Sequence, residues 1–497
     1  MTAYQFVALF LAGIGPLLAL ARVAHAPESL VLFGVGVLSA FLPGLPALSV
    51  DPQLVLNLLL PPLLYAATVR VSWRLLRFTL LPGALLGTLL ALATIGVVAL
   101  AARFVFLPGL SWTASVLLGV VAAIFDTRLF HEADGRPHVP RAIADTLKAR
   151  EIVGRVVILA TFGLVMEEPA GEAGSIGALL RHYVWDIPAG ALLGWALGRC
   201  VVWARRRIDP APVEIAVSVA TPYASALAAH ALGVSLVAAI MTAALVVSAF
   251  RIDRRTGAPI SSSEARVSAV AFWEQVSLMV SSALFFLAGR ALPDALRGLQ
   301  TWPVWTIAVC ALGVLAVVLA VQFAFACLAT ALQPIAGALD GRRGRVDSRL
   351  AAAGLMAWSS TRSVLGLVIA LSIPATLPGG RSFPERDLIL AVAALSIIAS
   401  VLIQGLTLRA VVERAGLRDE GEQQGEENEA RRAIEAALAS PERRHANGFD
   451  AARQALVGLR ERDRIGDEML ARMLRETDLT SRAAEGDALP GAGPPNP

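Results

Sequence analysis

"LKAREIVGRVVILATFGLVM", residues 147–166, decides what kind of chain this is. The stretch is apolar enough to cross a membrane, yet Arg155 sits in its middle, with Arg150 and Glu151 just upstream. A charge at bilayer depth is costly and by default marks a functional site. Arg155 lies roughly ten residues into the run, about 15 Å at helical rise. Two readings are open: the side chain snorkels to an interface, or it is buried with a partner. On a helix Glu151 lies one turn away on the same face.

The rest of the chain is built the same way. Of 497 residues, 56% are hydrophobic and only 16% charged. Soluble domains average about 45–50% apolar and about 25% charged. The excess falls in long uninterrupted runs, so the expectation is an all-α polytopic membrane protein. About thirteen segments are long enough to span: 4–22, 28–43, 51–69, 78–104, 111–130, 145–166, 184–203, 212–231, 234–250, 269–291, 303–332, 350–374 and 386–408. The start, "MTAYQFVALFLAGIGPLLALARVA", lacks a basic leader and reads as a first span, not a cleaved signal.

Arginine carries almost all the positive charge and sits between the apolar runs, where it acts as a topology signal and not as a nucleic-acid surface. With the N-terminus outside, the inner loops collect Arg22, Arg70, Arg74, Arg77, Arg128, Arg136, Arg141, Arg205 to Arg207, Arg251, Arg254, Arg255, Arg266 and the Arg342–Arg349 group. The outer loops hold far fewer, and one of them, "EEPAGEAGS", is acidic. This bias places the C-terminus in the cytoplasm. From about 411 the chain turns charged and helix-prone, which predicts a cytoplasmic tail of one or two helices with a disordered end at "LPGAGPPNP". The tail reads either as regulatory or as a plain solvated extension. Cys200, Cys310 and Cys327 lie in apolar segments and suggest no disulfide or metal site. Composition excludes soluble enzymes, and the sequence has no Walker loop, metal-ligand cluster or nucleophile triad. No enzyme activity, cofactor or resident metal is expected.

Five segments in order carry a resemblance: "LPPLLYAATVRVSWRLLR", "TPYASALAAHALGVS", "AFWEQVSLMVSSALFFLAGRALP", "LMAWSSTRSVLGLVIALSIP" and "SVLIQGLTLRAVVERAGL". Together they resemble the monovalent cation/proton antiporters, the branch with bacterial NhaP and the animal sodium/proton exchangers. The likeness covers roughly residues 5–415. It implies a homodimer in the bacterial inner membrane, with a transmembrane domain over 1–410. It also implies inverted repeats, about 78–166 and 303–408, whose two discontinuous helices cross near the bilayer midplane. Polar interruptions fall at matching places, "IFDTR" and "WSSTRS". The implied substrates are protons and a monovalent cation, Na⁺, Li⁺ or K⁺.

Such a site needs a carboxylate that binds either a hard cation or a proton. The family reads T-D-P in the fifth span; here Phe125-Asp126-Thr127 keeps only the aspartate. Asp126 is a site group by resemblance, or an exposed loop residue by its place near a span's end. In the sixth span the family reads E-S-L-L-N-D. Anchored on Val139-Pro140-Arg141, its glutamate falls on Arg150, its serine on Glu151, its asparagine on Gly154 and its essential aspartate on Arg155. In the twelfth span W-G-G-L-R-G becomes Trp358, Ser359, Ser360, Thr361, Arg362 and Ser363. The resemblance pairs this arginine with the sixth-span glutamate, leaving Glu151 or Asp126 as its partner here. Arginine does not deprotonate in proteins, so Arg155 can neither bind sodium nor carry the proton. It reads as a tethered cation paired with Asp126, with Glu151 assisting. Ordinary exchange is expected to be impaired or altered; the alternatives are a non-transporting sensor and a transporter of an anion. Outside this group, Glu274 reads as structural as readily as functional, His230 as a packing residue, and Gln404 and Thr407 as satisfiers of backbone near the end of the thirteenth span.

Overall fold

The computed structural model describes residues 3–24, 26–42, 51–69, 73–126, 141–167, 181–207, 211–249, 263–299, 302–340, 349–377, 381–415, 420–439, 446–462 and 464–487. Within them the chain is helical almost throughout. The membrane part comprises α1 (Ala3–Val23), α2 (Glu28–Ser39), α3 (Pro52–Thr68), α4 (Trp73–Ala101), α5 (Trp112–Ala123), α6 (Arg141–Glu167), α7 (His182–Arg205), α8 (Ala211–Leu232) and α9 (Leu236–Ala249). It continues with α10 (Ser263–Gly298), α11 (Val304–Asp340), α12 (Arg349–Trp358), α13 (Val364–Ser372) and α14 (Arg386–Ala415). Six of the described helices are long and apolar enough to cross a membrane.

Lipid explains a surface that water would not tolerate. Trp185, Leu192 and Trp195 of α7 and Leu227 of α8 are exposed, and a bilayer accepts such side chains while requiring backbone groups to be satisfied within the helix. The opposite case is α13, where every residue from Val364 to Ser372 is buried. A helix apolar all round belongs at the centre of a bundle, and α13 packs against α14, α10 and α5.

Two helices stop at the centre of the molecule. α5 ends at Ala123, and Ile124 turns the chain into an extended dipeptide, β1 (Phe125–Asp126). α12 ends at Trp358; after Ser359 and Ser360 comes β2 (Thr361–Arg362), and then α13. The dipeptides pair antiparallel, Phe125 opposite Arg362 and Asp126 opposite Thr361. The segment expected to span as one helix over 350–374 is therefore divided. A second two-residue pair, β3 (Thr376–Leu377) with β4 (Arg381–Ser382), closes the turn into α14.

Glycine sets the closest helix contacts. A Cβ added to Gly289 of α10 would run into the Phe33 carbonyl of α2, and one on Gly36 of α2 into the Phe286 carbonyl of α10. Small residues allow backbones to approach in this way, and dispersion then holds the helices together. Gly289→Ala is expected to force the two helices apart, costing about 1–3 kcal/mol by overpacking. It should appear as a lower unfolding midpoint of the purified protein, and an unchanged midpoint would contradict this packing.

The tail forms three helices, one more than the most that the sequence suggested: α15 (Glu420–Leu438), α16 (Ala446–Glu461) and α17 (Asp467–Asp487). The extra break lies in the polar "RDRIG" run before Asp467, where Glu426 accepts a hydrogen bond from Gly466 N at 2.7 Å. Ala430, Leu456, Ile465, Met469 and Met473 make a separate small core. α17 lies against α10, where Arg475 meets Glu274 at 3.4 Å. The expected disordered end, 489–497, lies outside the described residues.

Candidate functional site

The paired dipeptides leave backbone that neither α-helix satisfies internally, and buried carbonyls need partners. The chain supplies long polar side chains from other helices. Arg362 Nη1 donates to the Ala122 carbonyl in the last turn of α5, and its Nη2 reaches Ser360 O at 3.4 Å. Arg150 of α6 donates through Nη2 to the Met356 carbonyl in the last turn of α12 at 3.2 Å and to Ser360 Oγ at 2.5 Å. Its guanidinium lies over the Phe125 ring, 5.1 Å from the centroid. Each arginine thus caps the C-terminal end of a broken helix, where a positive charge also suits the helix dipole. Gln404 of α14 donates to Trp358 O at 2.8 Å, and Trp358 Nε1 donates to Thr407 Oγ1 at 2.9 Å. Gln404 thus serves the backbone of the break between α12 and α13 and not, as expected, that of its own helix end, whereas Thr407 also donates to the Ile403 carbonyl one turn back on α14.

Arg155 occupies the middle of this frame. Its Nη2 meets Glu151 Oε1 on its own helix and Asp126 Oδ1 of β1 at 3.6 Å. All three side chains are buried, with residue exposures of 4% for Arg155, 7% for Glu151 and 9% for Asp126. Snorkelling is therefore not what Arg155 does. The i, i+4 spacing puts Glu151 beneath it on α6, and the end of α5 delivers Asp126 from across the bundle. Gly154 faces Gly87 of α4: a Cβ there would lie 3.7 Å from the Gly87 carbonyl, an ordinary contact. The close approach of α4 to α6 is set instead by Gly87, whose Cβ would meet Arg150 O at 2.9 Å.

Arg362 does not reach Glu151 or Asp126, the partners that the family's pattern left for it. It is held by neutral oxygens: the two carbonyls above and the Gln322 amide. Turned so that its oxygen faces Arg362 Nη2 at 2.7 Å, that amide also donates to Ala357 O at 3.1 Å. The reason is positional. The Arg362 guanidinium is turned to the end of α5 and to the α12–α13 break, where these oxygens lie. Ser359, Ser360 and Thr361 are all buried at the break, and Thr361 Oγ1 donates to Asp126 O at 3.1 Å. Thr127 lies outside the described residues. Sequence reading overlooked Gln322 and Ser400, which accepts from Arg362 N at 3.1 Å. The signal for Gln322 was present, a lone amide in the apolar run "LAVQFAFA".

Long apolar helices with exposed apolar faces, packed around a few buried ionic side chains, are those of a multi-pass membrane protein. The sequence pattern of the transmembrane sodium/hydrogen exchanger family matches residues 6–414, and the chain belongs to that family. Among its relatives is an uncharacterized Na(+)/H(+) exchanger of Mycobacterium tuberculosis, 28% identical over 408 residues, which cover 79% of this chain and 71% of that protein. Another is the Na(+)/H(+) antiporter ApNhaP of Aphanothece halophytica, 26% identical over 397 residues, 79% of this chain and 70% of the other. The fold is similar to that of the sodium proton antiporter MjNhaP1 from Methanocaldococcus jannaschii, with a TM-score of 0.58 at 16% identity over 83% of this chain and 98% of that one.

Proposed function

We propose that this transporter of the sodium/hydrogen exchanger family carries a built-in cation at the place where the family's transported cation binds, and that ordinary carboxylate-based sodium/proton exchange is absent or strongly impaired. The observation that carries the reading is the contact of Arg155 with both Glu151 and Asp126. Arg155 stands on the family's essential aspartate in the sequence. Its guanidinium contacts both carboxylates and offsets one of their two charges, and a fixed charge of that kind neither leaves with the substrate nor gives up a proton. Around this site the proposal includes the family's architecture: about thirteen spans and inverted repeats over 78–166 and 303–408. α5 and the α12–α13 pair would be its two discontinuous crossing helices. It also includes a homodimer in the bacterial inner membrane, with the transmembrane domain over 1–410, the N-terminus outside and the tail from 411 in the cytoplasm.

The test is direct. The purified protein and its Arg155→Asp variant are reconstituted in vesicles, and lumenal pH is followed on adding sodium, lithium or potassium. No response is expected from the unmodified protein. The variant restores a carboxylate at the family's position, so a response confined to it is the strongest support. Robust exchange by the unmodified protein would overturn the proposal.

A further inference from the structure

Among the described residues, the break between α12 and α13 collects more positive than negative charge. Three buried guanidiniums, those of Arg150, Arg155 and Arg362, lie with two buried carboxylates, Asp126 and Glu151. The C-terminal ends of α5 and α12 each contribute about half a negative charge, and the N-terminal end of α13 about half a positive one. Counted over the described residues, that leaves an excess of roughly half a positive charge in surroundings that penalise an unmatched charge. Donors are in excess as well. The Nε atoms of Arg150, Arg155 and Arg362 are all buried without a hydrogen-bond acceptor. Two of these arginines converge on one residue, Arg150 through Ser360 Oγ and Arg362 through Ser360 O. Ser359, Ser360 and Ser363 are almost fully buried there. The Ser359 and Ser360 hydroxyls donate to the Met356 carbonyl at 3.1 and 2.8 Å, whereas Ser363 Oγ accepts from Leu365 N at 3.2 Å and keeps its own proton to give.

Fixed guanidiniums, hydroxyls and the start of a buried helix are the groups that hold a desolvated anion, whereas a sodium ion requires oxygen ligands with negative charge. We infer that the break at residues 359–363 is a binding site for a small monovalent anion of the halide class, seated beside Ser360 between Arg150 and Arg362. The inference rests on the reading that Arg155 has replaced the transported cation, and it adds the kind of ion that the altered site takes. It also accounts for a change that the tethered cation alone leaves unexplained: the replacement of the family's small residues by Ser359, Ser360, Thr361 and Ser363 on either side of Arg362.

The experiment follows thermal unfolding of the full-length protein in detergent while chloride or bromide replaces gluconate at constant ionic strength. The expected result is a saturable rise in the unfolding midpoint with both halides. Arg150→Gln should shift half-saturation by about tenfold or more, as loss of a charge-assisted hydrogen bond does. Should that variant fold poorly, Ser360→Ala, which removes only a hydroxyl, should shift it in the same direction. Identical midpoints in chloride and gluconate would overturn the site. So would an unsaturable drift that Arg150→Gln and Ser360→Ala leave unchanged. The vesicle assay with sodium is run in parallel and separates the two ideas. Exchange by the unmodified protein removes the tethered-cation reading on which the inference rests, whereas silent vesicles without a halide effect remove the anion site alone.

Discussion

Arg155→Leu is expected to destabilise the protein by about 3–5 kcal/mol, the cost of leaving buried charges without their partner. The substitution keeps the apolar bulk of the side chain but removes a cation that contacts both Glu151 and Asp126. Two carboxylates drawn towards one guanidinium nitrogen would then face each other in a water-poor interior, where repulsion and desolvation act together. The measurement is the unfolding midpoint of the variant against the unmodified protein. A second variant tells an ionic cause from a packing cause. Adding Glu151→Gln and Asp126→Asn to Arg155→Leu should recover much of the loss, because the charges that had become unmatched are then gone. If the triple variant is no more stable than Arg155→Leu, the cost was lost packing and the ionic account fails.

Much of this frame was legible in the sequence, for identifiable reasons. The apolar runs gave an all-helical chain, in which six described helices have the length that hydrocarbon requires of a helix that crosses it. "IFDTR" and "WSSTRS" marked the two breaks because polar residues in a buried helix need a purpose, and the structure puts paired dipeptides at both. Glu151 under Arg155 followed from helical periodicity alone. Other features are not local. Arg150 caps a helix 206 residues away, and Arg362 caps one 240 residues away. No periodicity encodes such distances. Aligned on the family's pattern, Arg362 was expected to meet a carboxylate. Here Arg362 is held instead by neutral oxygens, those of Ala122, Ser360 and Gln322, which belong to three separate stretches of the chain. Sequence spacing does not reveal that such oxygens converge on one side chain.

One physical pattern connects these sites. Where a helix is broken inside the bundle, the loose carbonyls at its end are met by an arginine from a distant segment, and each such arginine needs its remaining charge matched. The carboxylates match Arg155, and helix ends and amides match Arg150 and Arg362 in part. Stability and ion chemistry at the crossing therefore draw on the same side chains. A substitution that frees the site for a mobile cation also removes a cap or a counter-charge. Arg155→Asp in the vesicle assay is thus expected to be less stable than the unmodified protein even if it gains exchange.

Asp478→Ala should unfold the tail and leave the membrane domain intact. In the small bundle of α15 to α17, Arg453 Nε meets Asp478 Oδ1 at 2.7 Å, with side-chain exposures of 9% and 4%. Its other partner, Asp450 at 2.6 Å, is 41% exposed and sits at the rim. Removing Asp478 leaves the inner edge of a buried guanidinium unmatched, a loss of about 3–5 kcal/mol. A module below about 70–80 residues rarely has more than about 3–5 kcal/mol to lose, so this single change is enough to melt it. The described ion pair between the tail and α10 adds little to this stability. Arg475 and Glu274, at 52% and 46% side-chain exposure, form a surface pair worth at most about 1 kcal/mol. Limited proteolysis reads the outcome. Cleavage within 420–487 should accelerate strongly in the variant while the fragment ending near Ala415 survives intact. A tail as resistant as in the unmodified protein would mean that Asp450 alone suffices for Arg453. Cleavage spreading into the helices before Ala415 would mean that the tail braces α10 far more firmly than one exposed ion pair can.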